Sequence, residues 1–244
     1  MKTRLGFFIF IVVFIGLVNG CATMEAMTQP TATVDNNAGT QPLPPYNGPK
    51  ARIAIASFEV KAAKATWEIG DGLREMLITA LMNTNRFRIV ERQDLDAILK
   101  EQQLSASAVT SQDTRASSGQ LKTADLIISA AVTEFEPEAT GIGGGIGGGR
   151  TLGGLISAAF NKAHMALDIR VIDVRTSEIL SSARVQGEAK DIAGSILTQY
   201  LGSWALGGGL SLYRNTPMEK AIRVCIIEAV KYIVTAIEPQ YYKY

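Results

Sequence analysis

The sequence predicts an α/β fold: a three-layer-like domain with a mixed sheet and flanking helices, extended by two hairpin segments. Residues 72–102 show helix, strand and helix patterns with tight joints, which is typical of a layered α/β unit. Residues 126–135 and 165–174 alternate apolar side chains, as strands do. Residues 138–162 and 189–213 instead combine clustered glycines with alternating bulky residues, a pattern that does not fit a soluble core.

Composition sets the bounds on function. The 244 residues suffice for one sizeable domain with appendages. Lys and Arg number 24 against 23 Asp and Glu, without a basic stripe, so nothing indicates a nucleic-acid partner. Two cysteines are too few for a disulfide framework, and a single histidine limits metal and acid–base chemistry. We expect no enzyme activity: no catalytic residue, no metal site and no cofactor.

The N-terminus has the pattern of an export signal over residues 1–20. Lys2 and Arg4 precede an apolar run at 5–18, and Gly20 is the small residue before the cleavage site. Residues 18–21 resemble a bacterial lipobox, which predicts lipidation of Cys21. Acylation would also remove an unpaired thiol from an oxidising compartment. Ordinary cleavage that leaves a free Cys21 remains the alternative.

A tether follows the lipidated cysteine. Residues 21–50 are rich in Thr, Ala, Gln, Asn and Pro and show no periodicity, as flexible linkers do. Alanine at position 22, rather than aspartate, resembles outer-membrane sorting. We therefore expect a protein anchored to the outer membrane with its domain in the periplasm.

The periplasmic α/β domain is predicted from three ranges, 51–137, 163–188 and 214–238. A strand at 52–58 is followed by a loop at 57–70 and then by the helix of residues 72–82. Polar residues at 83–85 end that helix. The helix's apolar face consists of Leu73, Met76, Leu77, Ala80 and Leu81.

The remaining elements of the domain follow from the same patterns. A short strand contains Phe87, Ile89 and Val90, and Asp94 is the predicted N-cap of a second helix with Leu95, Ile98 and Leu99 on its apolar face. After the strand at 165–174, a turn at 173–177 leads to an antiparallel return strand at 178–186. Thr216 and Glu219 are predicted to form a capping box at the start of the last helix, with Pro217 at its first position. Cys225 lies near the apolar stripe of this helix and is predicted to be a buried small apolar residue.

The two remaining segments are predicted to be transmembrane β-hairpins, 138–162 and 189–213. In the second segment the bulky apolar residues fall mainly on even-numbered positions, whereas odd-numbered positions are mostly small or polar, and the first segment repeats this pattern more faintly. Each arm has about nine residues, close to the ~9–11 that a strand needs to cross a bilayer. The predicted lipid-facing residues are Ile142, Ile146, Leu152, Ile156, Ile192, Ile196, Tyr200, Trp204, Leu206 and Leu210.

Membrane hairpins would require a ring of protomers. Four strands cannot close a barrel, and open sheet edges are not tolerated in lipid. The largest known barrels have ~36 strands, which corresponds to about nine protomers with four strands each. The sequence therefore predicts a homo-oligomer that forms one shared barrel.

Four stretches carry a family resemblance: ITALMNTNRFRIVERQDLDAILKEQ at 78–102, RIAIASFE at 52–59, ADLIISAAVTEFE at 124–136 and LDIRVIDVRTSEILSSARVQG at 167–187. They resemble the curli production assembly/transport lipoproteins, the CsgG family. The resemblance implies an outer-membrane secretion channel with two membrane hairpins per subunit. Its substrate would be an unfolded secreted protein, such as a curli-like amyloid subunit or an adhesin, and periplasmic accessory factors would be further partners. In that family the loop before the first helix narrows the channel, which makes Trp67 and Glu68 the candidate constriction residues.

The residues allow two other functions. Gly143, Gly145 and Gly148 match a dinucleotide-binding pattern with Asp168 about 20 residues later. However, the glycines do not directly follow a strand, as such a phosphate-binding turn requires. The stronger alternative is a periplasmic lipoprotein without a pore, a scaffold or regulator of another envelope protein, in which both segments are soluble flaps.

Overall fold

The computed structural model of the chain describes residues 42–116, 119–137, 163–189, 194–202 and 206–244. Its strands are β1 Ala51–Ile55, β2 Glu59–Val60, β3 Phe87–Ile89, β4 Leu126–Glu136, β5 His164–Asp173 and β6 Ile179–Glu188. Its α-helices are α1 Trp67–Asn83, α2 Leu95–Ala106, α3 Gly194–Leu201 and α4 Pro217–Ala236. Short 3-10 turns occur at Gln112–Thr114, Gly208–Tyr213 and Pro239–Tyr241.

One mixed sheet organises the domain. Its strand order is β3-β1-β4-β5-β6, and β2 also pairs with β4. β1 pairs in parallel with β3 and β4, whereas β4, β5 and β6 are antiparallel. Parallel neighbours need a crossover connection, which α1 supplies between β1 and β3; α2 lies in the connection from β3 to β4, on the other side of β1. The structure thus confirms an α/β fold with a mixed sheet and flanking helices.

The core lies between this sheet and two helices, α1 and α4, which also contact one another. The predicted apolar face of α1 is fully buried, and so is the stripe of α4 that contains Ile222, Ile226 and Ile233. At the start of α4, Thr216 Oγ1 accepts a hydrogen bond from the backbone N–H of Glu219. The Glu219 carboxylate in turn accepts from the N–H of Asn215, at 2.5 Å. The first half of the predicted capping box is therefore formed, whereas the returning bond goes to the residue before the N-cap and not to Thr216 itself.

Gly187 of β6 lets α4 approach the sheet closely. A Cβ atom at this position would lie 2.1 Å from the carbonyl oxygen of Ala221 and 2.6 Å from Cβ of Cys225. Cys225 itself is completely buried, as predicted, and its thiol lies 3.8 Å from the carbonyl oxygen of Val185. Burial raises the pKa of this thiol far above its usual value, which makes it unreactive.

Two predictions for the first half of the chain need correction. The predicted loop at 57–70 contains β2 and the first turn of α1, because β2 pairs with Ala131 and Val132 of β4. The apolar face of α2 is only partly covered: Leu95 and Ile98 are half-buried, and Leu99 is 38% exposed. Asp94 precedes α2 as predicted, but its side chain makes no capping hydrogen bond. Amphipathicity predicted the helix correctly but not how completely the domain covers it.

Candidate functional site

The described part of the second predicted hairpin is helical, so the strand prediction is wrong for these residues. Residues 194–201 form α3, and residues 208–213 form a 3-10 turn. The reason lies in the spacing: Ile196 and Tyr200 are four residues apart and share a face in a helix as well as in a strand. Among the described residues, no helix has the length and apolarity to cross a membrane.

This segment packs along α1, which it follows from one end to the other. At the C-terminal end of the helix, the Asn83 side chain donates to the carbonyl oxygen of Tyr200, at 2.9 Å. At its N-terminal half, a Cβ on Gly72 would lie 2.8 Å from Cγ of Leu210. Near the first turn, a Cβ on Gly209 would lie 2.7 Å from Cβ of Glu68. The two glycines therefore permit a close fit between helix and segment.

Four of the predicted lipid-facing residues are part of the domain core in this structure, namely Ile196, Tyr200, Leu206 and Leu210. Burial from water raises the pKa of the Tyr200 hydroxyl. The other six lie outside the described residues: Ile142, Ile146, Leu152, Ile156, Ile192 and Trp204. The whole of the first predicted hairpin, the signal sequence and Cys21 also lie outside them.

The predicted constriction residues lie in the first turn of α1. Trp67 is 70% exposed, and the neighbouring Glu68 adjoins the 3-10 turn at Gly209. A hydrogen bond from the Thr66 side chain holds the pKa of Glu68 below its usual value. Leu212, in the same 3-10 turn, is 82% exposed. An exposed tryptophan and an exposed leucine thus belong to two elements that pack together at this end of α1.

A polar cluster occupies the adjacent end of the sheet. Glu134 on β4 is paired with Arg184 on β6, and its other carboxylate oxygen lies 3.8 Å from Nε2 of His164. Lys64 is paired with Glu136. These side chains are roughly a third to a half exposed, which is typical of surface ion pairs that contribute little stability.

The end of the tether is held against α3, a contact that no pattern in the tether sequence predicts. The backbone N–H of Leu43 donates to the Tyr200 hydroxyl at 3.2 Å, and the Gln199 side chain donates to the carbonyl oxygen of Leu43 at 2.6 Å. An open cavity of about 300 Å³ lies between residues 43–47 and the side chains around α3 and the end of α1. The hydrogen bond between Leu43 and Tyr200 joins residues 157 positions apart, so no local sequence pattern predicts it.

A comparison with known proteins identifies the family of this chain. Residues 40–241 match the family described as "Curli production assembly/transport component CsgG". The chain belongs to the CsgG family. The matched range of the CsgG family includes the tether end, the complete α/β domain and the segment that packs on α1.

Individual relatives are distant. A candidate lipoprotein of Neisseria meningitidis serogroup B, NMB1126/NMB1164, is 27% identical over 232 residues, covering 91% of this chain and 89% of the relative. Protein XCC0632 from Xanthomonas campestris superposes with a TM-score of 0.43 at 10% identity, covering 81% of this chain and 91% of that structure. The PelC dodecamer from Paraburkholderia phytofirmans gives 0.36 at 12% identity, covering 76% and 92%.

Proposed function

We propose that this CsgG-family chain is an outer-membrane lipoprotein whose protomers form a ring-shaped diffusion channel for an unfolded secreted protein. The observation that carries the proposal is the family match over residues 40–241, which spans the α/β domain and both glycine-rich segments. The family description names transport and assembly, and the lipobox-like residues 18–21 supply the anchor. The role is non-enzymatic, and transport would follow from diffusion and from folding of the substrate outside the cell.

Channel formation would require the segment 194–213 to leave α1. Five large side chains of this segment are buried: Ile196, Tyr200, Leu201, Leu206 and Leu210. Full burial of such a side chain is worth about 1.5–3 kcal/mol, so release into water would cost on the order of 10 kcal/mol, close to the total stability of a domain. Release is therefore expected only where lipid or a neighbouring protomer takes up the apolar surface.

The same burial supports a second candidate function, a periplasmic lipoprotein without a pore. In that case the helical segment is a permanent part of the domain, and the protein acts as a scaffold or regulator of another envelope protein. The two candidates differ in one physical respect: only the channel needs the segment to separate from α1.

The first test is direct. Full-length protein is extracted from outer membranes in detergent, imaged by negative stain and added to planar bilayers. Rings with a central hole and stepwise single-channel currents are expected for the channel. Monodisperse monomers without current would contradict it and favour the scaffold.

A reversible lock tests whether the segment must move. A Cβ on Gly209 would lie 2.7 Å from Cβ of Glu68 and 2.8 Å from its backbone carbonyl carbon, so a side chain introduced at Gly209 must displace the 3-10 turn outward. A shift of about 1 Å relieves both contacts and gives the usual Cβ spacing of a disulfide, so Glu68→Cys combined with Gly209→Cys should form one. Oxidised protein should carry no current, and reduction should restore it. The reduced form of the same variant is the control. Undiminished current from protein whose disulfide is verified by mass spectrometry would mean that separation from α1 is not needed.

A further inference from the structure

The last part of the tether, shortly before β1, is held on two sides by the domain. We name residues 43–46 the strap. On one side, α3 pairs with both backbone polar groups of Leu43 through Tyr200 and Gln199. A strap residue whose N–H and C=O are both bonded to one helix is docked on that helix and does not behave as a flexible linker.

On the other side, the turn after α1 holds the strap independently of α3. The Arg86 guanidinium donates to the carbonyl oxygen of Pro44 at 2.9 Å, and it lies 4.4 Å from the centre of the Tyr46 ring. The Asn85 side chain donates to the carbonyl oxygen of Tyr46 at 2.8 Å. The Tyr46 ring also meets the ring of Tyr242 with centroids 6.1 Å apart. The strap therefore links α3 to the turn that follows α1.

Each partner in this bridge satisfies polar groups of the other. Tyr200 is completely buried, and the Oε1 atom of Gln199 is buried without a hydrogen-bond partner among the described residues. Departure of the strap would take from α3 the two bonds that the side chains of Tyr200 and Gln199 make. Separation of α3 would likewise remove the hydrogen-bond partners of the N–H and C=O groups of Leu43. Such mutual dependence is a coupling free energy, and it acts equally in both directions.

We propose that the strap is a clasp: docking of residues 43–46 stabilises α3 on α1, and pulling the strap away loosens α3. The clasp itself does not depend on channel formation, because a scaffold with this fold would have it too. Its consequence for the cell rests on the proposed lipidation. With Cys21 fixed in the membrane, displacement of the tether would be transmitted to the segment whose release the channel requires.

Hydrogen exchange of the full-length protein tests the clasp, because exchange reports local opening. Asn85→Gly removes the side chain that holds Tyr46, at a position whose φ of +59° suits glycine. The matched control is Asn215→Gly, another asparagine with a positive φ (+61°), at the start of α4 and without a bond to the strap. The Asn85 side chain also accepts a hydrogen bond from Nζ of Lys50, at 2.5 Å, but Lys50 lies outside the strap. We expect amides of residues 194–201 to exchange about fivefold to tenfold faster in Asn85→Gly, as for the loss of the one bond to the strap, and at the wild-type rate in Asn215→Gly.

A second variant acts on the other side of the strap. Leu43→Pro removes the N–H that the Tyr200 hydroxyl accepts, and it should accelerate exchange in α3 to a similar extent. Wild-type exchange in α4 shows that each variant remains folded. Wild-type exchange in α3 for both variants would overturn the clasp, and this result is independent of whether the protein conducts ions.

Discussion

The Tyr241 hydroxyl donates a 2.7 Å hydrogen bond to Oδ2 of Asp173, joining the C-terminal segment to the end of β5 across 68 residues. Both side chains are buried. Asp173 also accepts from the Arg175 guanidinium and from the backbone N–H groups of Arg175 and Thr176, which close the β5–β6 turn. The Tyr241 hydroxyl, followed by Arg175, holds the pKa of the Asp173 carboxyl well below its usual range.

The first prediction concerns acid stability. Because the folded-state pKa of Asp173 is lowered, its contribution to stability is fully present above the unfolded value of about 3.9 and is lost as the pH falls further. Tyr241→Phe should therefore lower the Tm at pH 7, and the difference from wild type should narrow as the pH falls through the less depressed folded-state pKa of Asp173 in the variant, below the unfolded value. Thermal melts from pH 7 to about pH 2 measure this. An equal Tm difference at every pH would show that the bond does not act through ionised Asp173.

The second prediction concerns the α1 core. Leu77→Ala should reduce the free energy of unfolding by about 2–5 kcal/mol, because this side chain is completely buried and its removal leaves a cavity. Met82→Ala, in the same helix but at a residue that is 52% exposed, is the control and should change stability by about 0.5 kcal/mol or less. Denaturant unfolding compares the two. Equal effects would mean that α1 is wrongly oriented.

The third prediction concerns the contact between β6 and α4. Gly187→Ala should destabilise the domain by about 1–3 kcal/mol or more, because the new methyl group meets backbone atoms of α4 that cannot move aside. Gly194→Ala, the same change at the first residue of α3, has nothing within 4 Å. It should be neutral or stabilising. A stable Gly187→Ala variant would contradict the close packing of α4 on the sheet.

The fourth prediction concerns the anchor. Cys21→Ala should abolish labelling by radioactive fatty acid and remove the membrane affinity that the acyl chains supply, about 0.8 kcal/mol for each buried CH₂. Cys225→Ala is the control and should leave labelling unchanged, because that thiol is buried. Fatty-acid labelling that persists in Cys21→Ala would refute lipidation at this residue.

The sequence predicts best those helices whose apolar residues fit a helical spacing and not a strand spacing. The apolar stripe of α1 runs from Leu73 to Leu81, more than two turns, and that of α4 from Ile222 to Ile237, about four turns. Thr216 and Glu219 also mark the start of α4 chemically. The eight residues of α3 are too short for such a decision. Ile196 and Tyr200 satisfy both a helical and a strand period, and the alternation of residues over 190–213 favours strands.

Tertiary contacts explain the other differences. Side chains of α3 and of the turn after α1 donate hydrogen bonds to backbone carbonyl oxygens of the strap. No local pattern in residues 42–50 indicates those partners. The face of α2 has helical spacing, yet spacing does not specify what covers Leu99. Local sequence thus predicts the long helices and strands of the domain, whereas β2, α3 and the strap depend on contacts with distant residues.

The register of the sheet bears on how this domain evolves. Glu136, the last residue of β4, pairs with His164, the first residue of β5, so the ends of residues 138–162 are held side by side by the ladder. Lengthening a loop between two fixed ends costs little, about 0.6 kcal/mol for each doubling. This position is therefore a tolerant insertion point: descendants could shorten, extend or exchange the intervening stretch while inheriting the same sheet, and new specificity could arise there without redesign of the core.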